Sequence, residues 1–84
     1  MSAISQKIRS IVNHDGAVIL DFERDTILTL NPIGAYIWEK LRQGKQIDQV
    51  VLDLAQETST DLPTVDRDVR EFLALLTARH LFRA

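Results

Sequence analysis

At Asn31-Pro32 the hydrophobic period of this chain changes, and that change limits the folds open to it. Upstream, Thr26, Leu28 and Leu30 alternate with Ile27 and Thr29, the two-residue period of a strand. Downstream the apolar residues recur every three to four positions. The third such stretch is the longest: Val65, Val69, Phe72, Leu73 and Leu76 lie on one helical face. Asn31 and Asp61 are N-cap residues, and Pro32 and Pro63 sit in first turns, where N–H groups have no helical partner anyway. Strands followed by helices, rather than alternating with them, indicate an α+β domain.

Ala17–Phe22 and Thr26–Leu30 read as two strands of a hairpin around the polar Glu23-Arg24-Asp25. His14-Asp15-Gly16 reads as a turn in which Gly16 takes a positive φ. Residues 1–13 carry both periods: Ile4, Ile8, Ile11 and Val12 have helical spacing, whereas Ile8, Ser10 and Val12 alternate. A strand is expected there, because the hairpin needs a partner. The first helix carries Ile33, Ile37, Trp38 and Leu41 on its stripe and stops at Gly44, with Tyr36 at its boundary. Gly34 weakens that helix and suits a close approach by another element. The second helix runs from about Ile47 to Glu57, and Thr58–Asp61 leads into the third. Three helices beside a small antiparallel sheet of three strands make a winged helix-turn-helix-like unit, and the 84 residues are expected to form one domain.

Function is bounded mostly by exclusion. A chain this short has little room for an enclosed active site. It has no cysteine, hence no disulfide or thiolate metal site, which fits a cytoplasmic location. No apolar run approaches a membrane span. A net charge of −2 argues against nucleic acid as partner. His14 and His80 have no Cys, Ser/His/Asp set or metal-ligand spacing beside them, so no catalytic residue, metal or cofactor is expected. Asp66, Asp68 and Glu71 interleave with Arg67 and Arg70 as a solvated helix face. The strand Thr26–Leu30 is different. It has no Lys, Pro or bulge to protect an edge, so it is either covered by a helix or used to capture an extended peptide.

The segments Asp15-Gly16-Ala-Val-Ile-Leu-Asp21 and Thr29-Leu-Asn31-Pro-Ile-Gly34-Ala-Tyr-Ile37-Trp38-Glu-Lys-Leu41, with Gly44, Ile47–Ala55, Val65–Leu73 and Leu81, resemble the PqqD-like family of RiPP recognition elements. The resemblance implies a domain that binds the leader of a ribosomally made precursor peptide. The leader would add as a strand to Thr26, Ile27, Leu28, Thr29 and Leu30. It would pack against Arg67, Val69, Arg70, Phe72, Leu73, Leu75 and Leu76 of the third helix, a set in which core and groove are not yet divided. It further implies delivery to a separate leader protease and a macrocyclase, most simply in lasso-peptide maturation. The alternatives are a precursor chaperone for a radical enzyme of quinone-cofactor synthesis and a small winged-helix DNA-binding regulator. The second strand departs from the many relatives with aromatics there, which makes an implied groove more aliphatic.

Overall fold

The computed structural model describes residues 7–82. Three strands, β1 (Ile8–Asn13), β2 (Gly16–Asp21) and β3 (Thr26–Leu30), precede three helices, α1 (Pro32–Arg42), α2 (Ile47–Thr58) and α3 (Leu62–Ala78). The α+β order read from the sequence is the order observed. The sheet is an antiparallel meander, β1-β2-β3, so β2 is central and β1 and β3 are its edges. The first thirteen residues include a strand, as expected; residues 1–6 lie outside the described residues.

The turns follow from local chemistry. Gly16 has φ +143°, and a Cβ there would lie 2.1 Å from the Leu30 carbonyl oxygen, so β2 and β3 meet at a point that excludes any side chain. The β2–β3 turn lacks an Asn-Gly pair and is built on Asp21 instead. Its buried carboxylate accepts the N–H groups of Glu23 (3.0 Å) and Arg24 (3.2 Å), with the Arg24 guanidinium at 3.5 Å. Asp25, at φ 54°, closes the turn. Asp21→Ala removes these bonds at once and is expected to cost about 1–3 kcal/mol, measured by urea unfolding; an unchanged midpoint would mean that the turn forms without them.

Both predicted N-caps are made: Asn31 Oδ1 accepts the Gly34 N–H at 2.8 Å, and Asp61 Oδ2 accepts from the Thr64 N–H at 3.2 Å and its hydroxyl at 2.8 Å. The Thr64 hydroxyl, followed by its N–H, holds the Asp61 carboxyl below its ordinary range. Because the folded-state pKa is lowered, the cap's contribution is complete above the unfolded value near pH ~4 and is lost as pH falls through the lower folded value. Replacing Asp61 with Asn should therefore flatten the acid limb of a stability–pH curve; an unaltered limb would assign that limb to other carboxylates.

Packing is centred on α1, which touches all three strands and α2, while α3 packs chiefly on α2. Trp38 is fully enclosed, with Ile19, Ile37, Val50, Val69 and Leu76 in the same core. Ile33 was expected on the α1 stripe but is exposed: as the second helical residue it faces out, while Gly34 and Ala35 take the inward positions. Tyr36 is half-buried with the Lys40 ammonium 5.3 Å from its ring centre; burial, then Asp53 and Glu57, push its phenol pKa up.

Candidate peptide-binding cleft

The sheet has one face under the helices and one face in solvent. The register puts Ala17, Ile19 and Asp21 of β2 opposite Leu30, Leu28 and Thr26 of β3. Ala17, Ile19, Asp21 and Leu30 are buried and Leu28 is half-buried, so this is the helix-covered face. Ile27 and Thr29 are exposed on the other.

The direction of the backbone groups follows from one bond. The Phe22 N–H donates to the Lys7 carbonyl at 3.2 Å, one step beyond the β1–β2 ladder. Antiparallel strands alternate strictly in which neighbour their N–H and C=O groups face. Phe22, Leu20 and Val18 therefore face β1, and Asp21, Ile19 and Ala17 face β3. Their partners Thr26, Leu28 and Leu30 are engaged with β2. Ile27 and Thr29 thus point their N–H and C=O groups away from the sheet, where no further strand lies among the described residues. Of the two readings of this strand, covered or open, the open one is observed.

Phe72 of α3 approaches the Leu30 end of that strand. A Cβ placed on Gly34 would meet Phe72 Cε1 at 3.3 Å and Leu30 Cβ at 3.4 Å, so Phe72, the end of β3 and the start of α1 converge there. Gly34 is the close approach expected from its place in the helix. Asp68 and Leu75 share the Phe72 flank by helical spacing, and Leu75 is 41% exposed. Leu28 and Phe72 are half-buried against the core, and Leu75 is exposed one turn along α3 from Phe72.

The remaining candidates of α3 separate cleanly. Val69, Leu73 and Leu76 are core side chains, and so is Leu30 of β3. They are buried in the core, whereas Phe72 is half-buried and Leu75 exposed. Arg70 lies on the opposite flank, where its Nε is 3.1 Å from Asp66 and its terminal nitrogen 3.9 Å from Asp48 in the first turn of α2. Arg67 is exposed, with Asp68 at 3.7 Å. Asp68, read from the sequence as part of a solvated helix face, is exposed and lies one turn before Phe72. His14 and His80 are exposed, and among the described residues no group of three metal-ligating side chains occurs. No described helix is long and apolar enough to cross a membrane.

The sequence profile of the family described as Coenzyme PQQ synthesis protein D (PqqD) matches residues 16–81. The chain belongs to the PqqD family. The fold is also that of TbiB1 in complex with the TbiA(beta) leader peptide, with a TM-score of 0.91 and 34% identity over 100% of this chain and 96% of that one. A lasso peptide synthetase B1 complexed with the leader peptide has the same fold at 21% identity, with a TM-score of 0.86 over 96% of this chain and 95% of that one. No curated protein sequence matches this PqqD-family chain.

Proposed function

We propose that this protein binds the leader segment of a ribosomally made precursor peptide and presents it to separate maturation enzymes in lasso-peptide biosynthesis. The observation that carries this is the unprotected strand edge, with outward donors and acceptors at Ile27 and Thr29, and with Phe72 of α3 converging on its Leu30 end. The 34% identity to a protein whose structure holds a leader peptide supports the same reading.

Magnitudes assign the roles. Backbone bonds to Ile27 and Thr29 are worth about 0.5–1.5 kcal/mol each. The four such bonds sum to about 2–6 kcal/mol, which offsets only part of most association costs of about 4–15 kcal/mol. Apolar side chains of the leader packed on Leu28, Phe72 and Leu75 supply the surplus, at about 1.5–3 kcal/mol for each one fully buried. The edge fixes register and direction, and the cleft gives affinity and selectivity. The protein itself is non-catalytic in this reading. It contributes effective concentration, because a bound leader makes the encounter of precursor with protease or macrocyclase intramolecular once those enzymes engage it.

Leu75→Ala should weaken leader binding about tenfold, with the melting temperature close to wild type because Leu75 is largely in solvent. Titration of isotope-labelled protein with synthetic leader tests the site as a whole. Amide shifts should concentrate in Thr26–Leu30 and around Phe72 and Leu75. Shifts confined to α1 and α2 would place the peptide elsewhere and refute the cleft. A sub-micromolar, sequence-dependent DNA complex at physiological salt would instead favour a regulator.

A further inference from the structure

Charge is unevenly spread along this chain. Residues 46–66, which span α2, the loop after it and the start of α3, contain Asp48, Asp53, Glu57, Asp61 and Asp66 and no Lys or Arg. That stretch has a net charge of −5 where the whole chain has −2, which leaves the remainder at +3. Within it, a hollow of about 440 Å³ opens between α2 and α3, lined by Asp48, Val51, Leu52, Leu62, Pro63 and Asp66. Val51 is buried, whereas Leu52 is 46% exposed and Leu62 48%. Two large apolar side chains left in solvent on either side of one hollow mark an interaction site rather than the scattered apolar residues of an ordinary exterior.

The rim selects what can enter. Arg70 reaches both of its carboxylates, with Nε 3.1 Å from Asp66 and a terminal nitrogen 3.9 Å from Asp48. All three side chains are largely in solvent, so this pairing holds them only weakly. A carboxylate accepts about four hydrogen bonds, and both therefore keep capacity for a further donor. The surrounding negative charge repels phosphate backbones and anionic lipid headgroups. It favours a protein segment in which an apolar anchor is flanked by Lys or Arg.

Resting on the leader-delivery reading, we propose that this hollow is the docking site of the macrocyclase. A segment of that enzyme inserts an apolar side chain between Leu52 and Leu62 and sets basic side chains against Asp48 and Asp66. Position separates this enzyme from the leader peptidase. A peptidase cuts beside the bound leader and so works near the β3 edge. Asp66 and Arg70 lie on the flank of α3 away from Phe72, and a partner seated there leaves that edge clear. Such a seat suits the enzyme that acts on the rest of the precursor. Leader and macrocyclase share no contact residue, so each binds with the same affinity whether or not the other is present. The apolar anchor sets how long the enzyme stays, and the carboxylates steer its approach.

The test uses the full chain, synthetic leader and the purified macrocyclase of the same biosynthetic pathway. Leu52→Gln keeps a good helix former at an exposed position and should weaken macrocyclase binding roughly tenfold. The double variant Asp48→Asn, Asp66→Asn should weaken it roughly threefold or more, with a shallower dependence on salt. Asp53→Asn with Glu57→Gln removes the same charge outside the hollow and should change the affinity less than twofold. All three proteins should bind labelled leader as wild type does, and saturating leader should leave the macrocyclase affinity of the wild type unchanged. Macrocyclase affinity that is absent in the wild type, or equal in wild type, Leu52→Gln and the hollow double variant, overturns the proposal. So does an equal loss in the control double variant, which would assign the effect to overall charge. A wild-type dimer that Leu52→Gln dissolves in sedimentation would overturn it by giving the hollow to a second copy. Loss of leader binding in Leu52→Gln, with the circular dichroism of wild type, would overturn it by giving the hollow to the leader. Docking is measured without leader, so failure of the wild type to bind leader tells separately against the leader-binding reading itself.

Discussion

Trp38→Ala is expected to leave little folded protein at 25 °C. The side chain is fully enclosed at the junction of the sheet-facing helix with the rest of the core. Truncating a buried tryptophan typically costs ~3–5 kcal/mol. Small domains sit toward the low end of the ~5–15 kcal/mol range of stabilities, so this one residue accounts for most of the margin. Trp38 Nε1 is buried and has no hydrogen-bond partner, and the loss is therefore one of volume, not of a polar contact. Trp38→Phe, which removes that donor and keeps most of the ring, should retain a cooperative transition. Thermal melts followed by far-ultraviolet circular dichroism decide the matter. A cooperative melt of the alanine variant near the wild-type temperature would show that the core closes without this residue.

The second large effect separates two adjacent prolines. Ile27→Pro deletes an N–H that faces the open edge, and its ring occupies the space where a leader backbone would approach. Leu28→Pro deletes an N–H engaged with β2 opposite Ile19. The φ restriction is common to both and cancels in the comparison. Ile27→Pro should weaken leader binding by about tenfold or more while the domain stays folded, the loss expected for one backbone bond plus exclusion of the strand. Leu28→Pro should lower stability by about 1–3 kcal/mol, the cost of a buried group left unpaired. Leader anisotropy and urea titrations of both variants check the pair. Equal leader affinity for Ile27→Pro and wild type would remove β3 as the receptor strand.

Much of the fold was legible because its signals are local. Asn31-Pro32 and Asp61 with Pro63 each contain their own helix start, and the observed caps use those side chains. β1 was ambiguous for a physical reason: none of its residues is buried, and apolar Ile11 and Val12 are exposed on opposite faces, so its apolar residues do not mark one side. The β2–β3 turn was readable only as a polar gap, since its organising group, Asp21, belongs to the strand before it. The cleft was half legible. The absence of protective residues in Thr26–Leu30 was plain in the sequence and left that strand either helix-covered or open to a peptide. The division of α3 into core residues (Val69, Leu73, Leu76) and more exposed apolar residues (Phe72, Leu75) was not, because both sets are apolar and their burial depends on where α2 and the sheet lie. Arg70 shows the same limit, since Asp48, from another helix, helps hold it on the far flank.

The meander has a kinetic consequence. Every strand pairs with its neighbour in the chain, and α3 lies on the helix just before it. The loops within the sheet and between α2 and α3 are short, and closure entropy rises only slowly for the longer contact of Phe72 with the end of β3. Domains built from such near-in-sequence pairings fold on roughly millisecond timescales or faster. Ribosomes extend a chain at only about 5–20 residues per second. Because Leu81 is part of the buried core, the complete domain waits for nearly the whole described chain to emerge, and then assembles within a small fraction of the time taken to make it. The supply of competent receptor edges is thus set by synthesis, with no slow conformational search between translation and the first encounter with a leader.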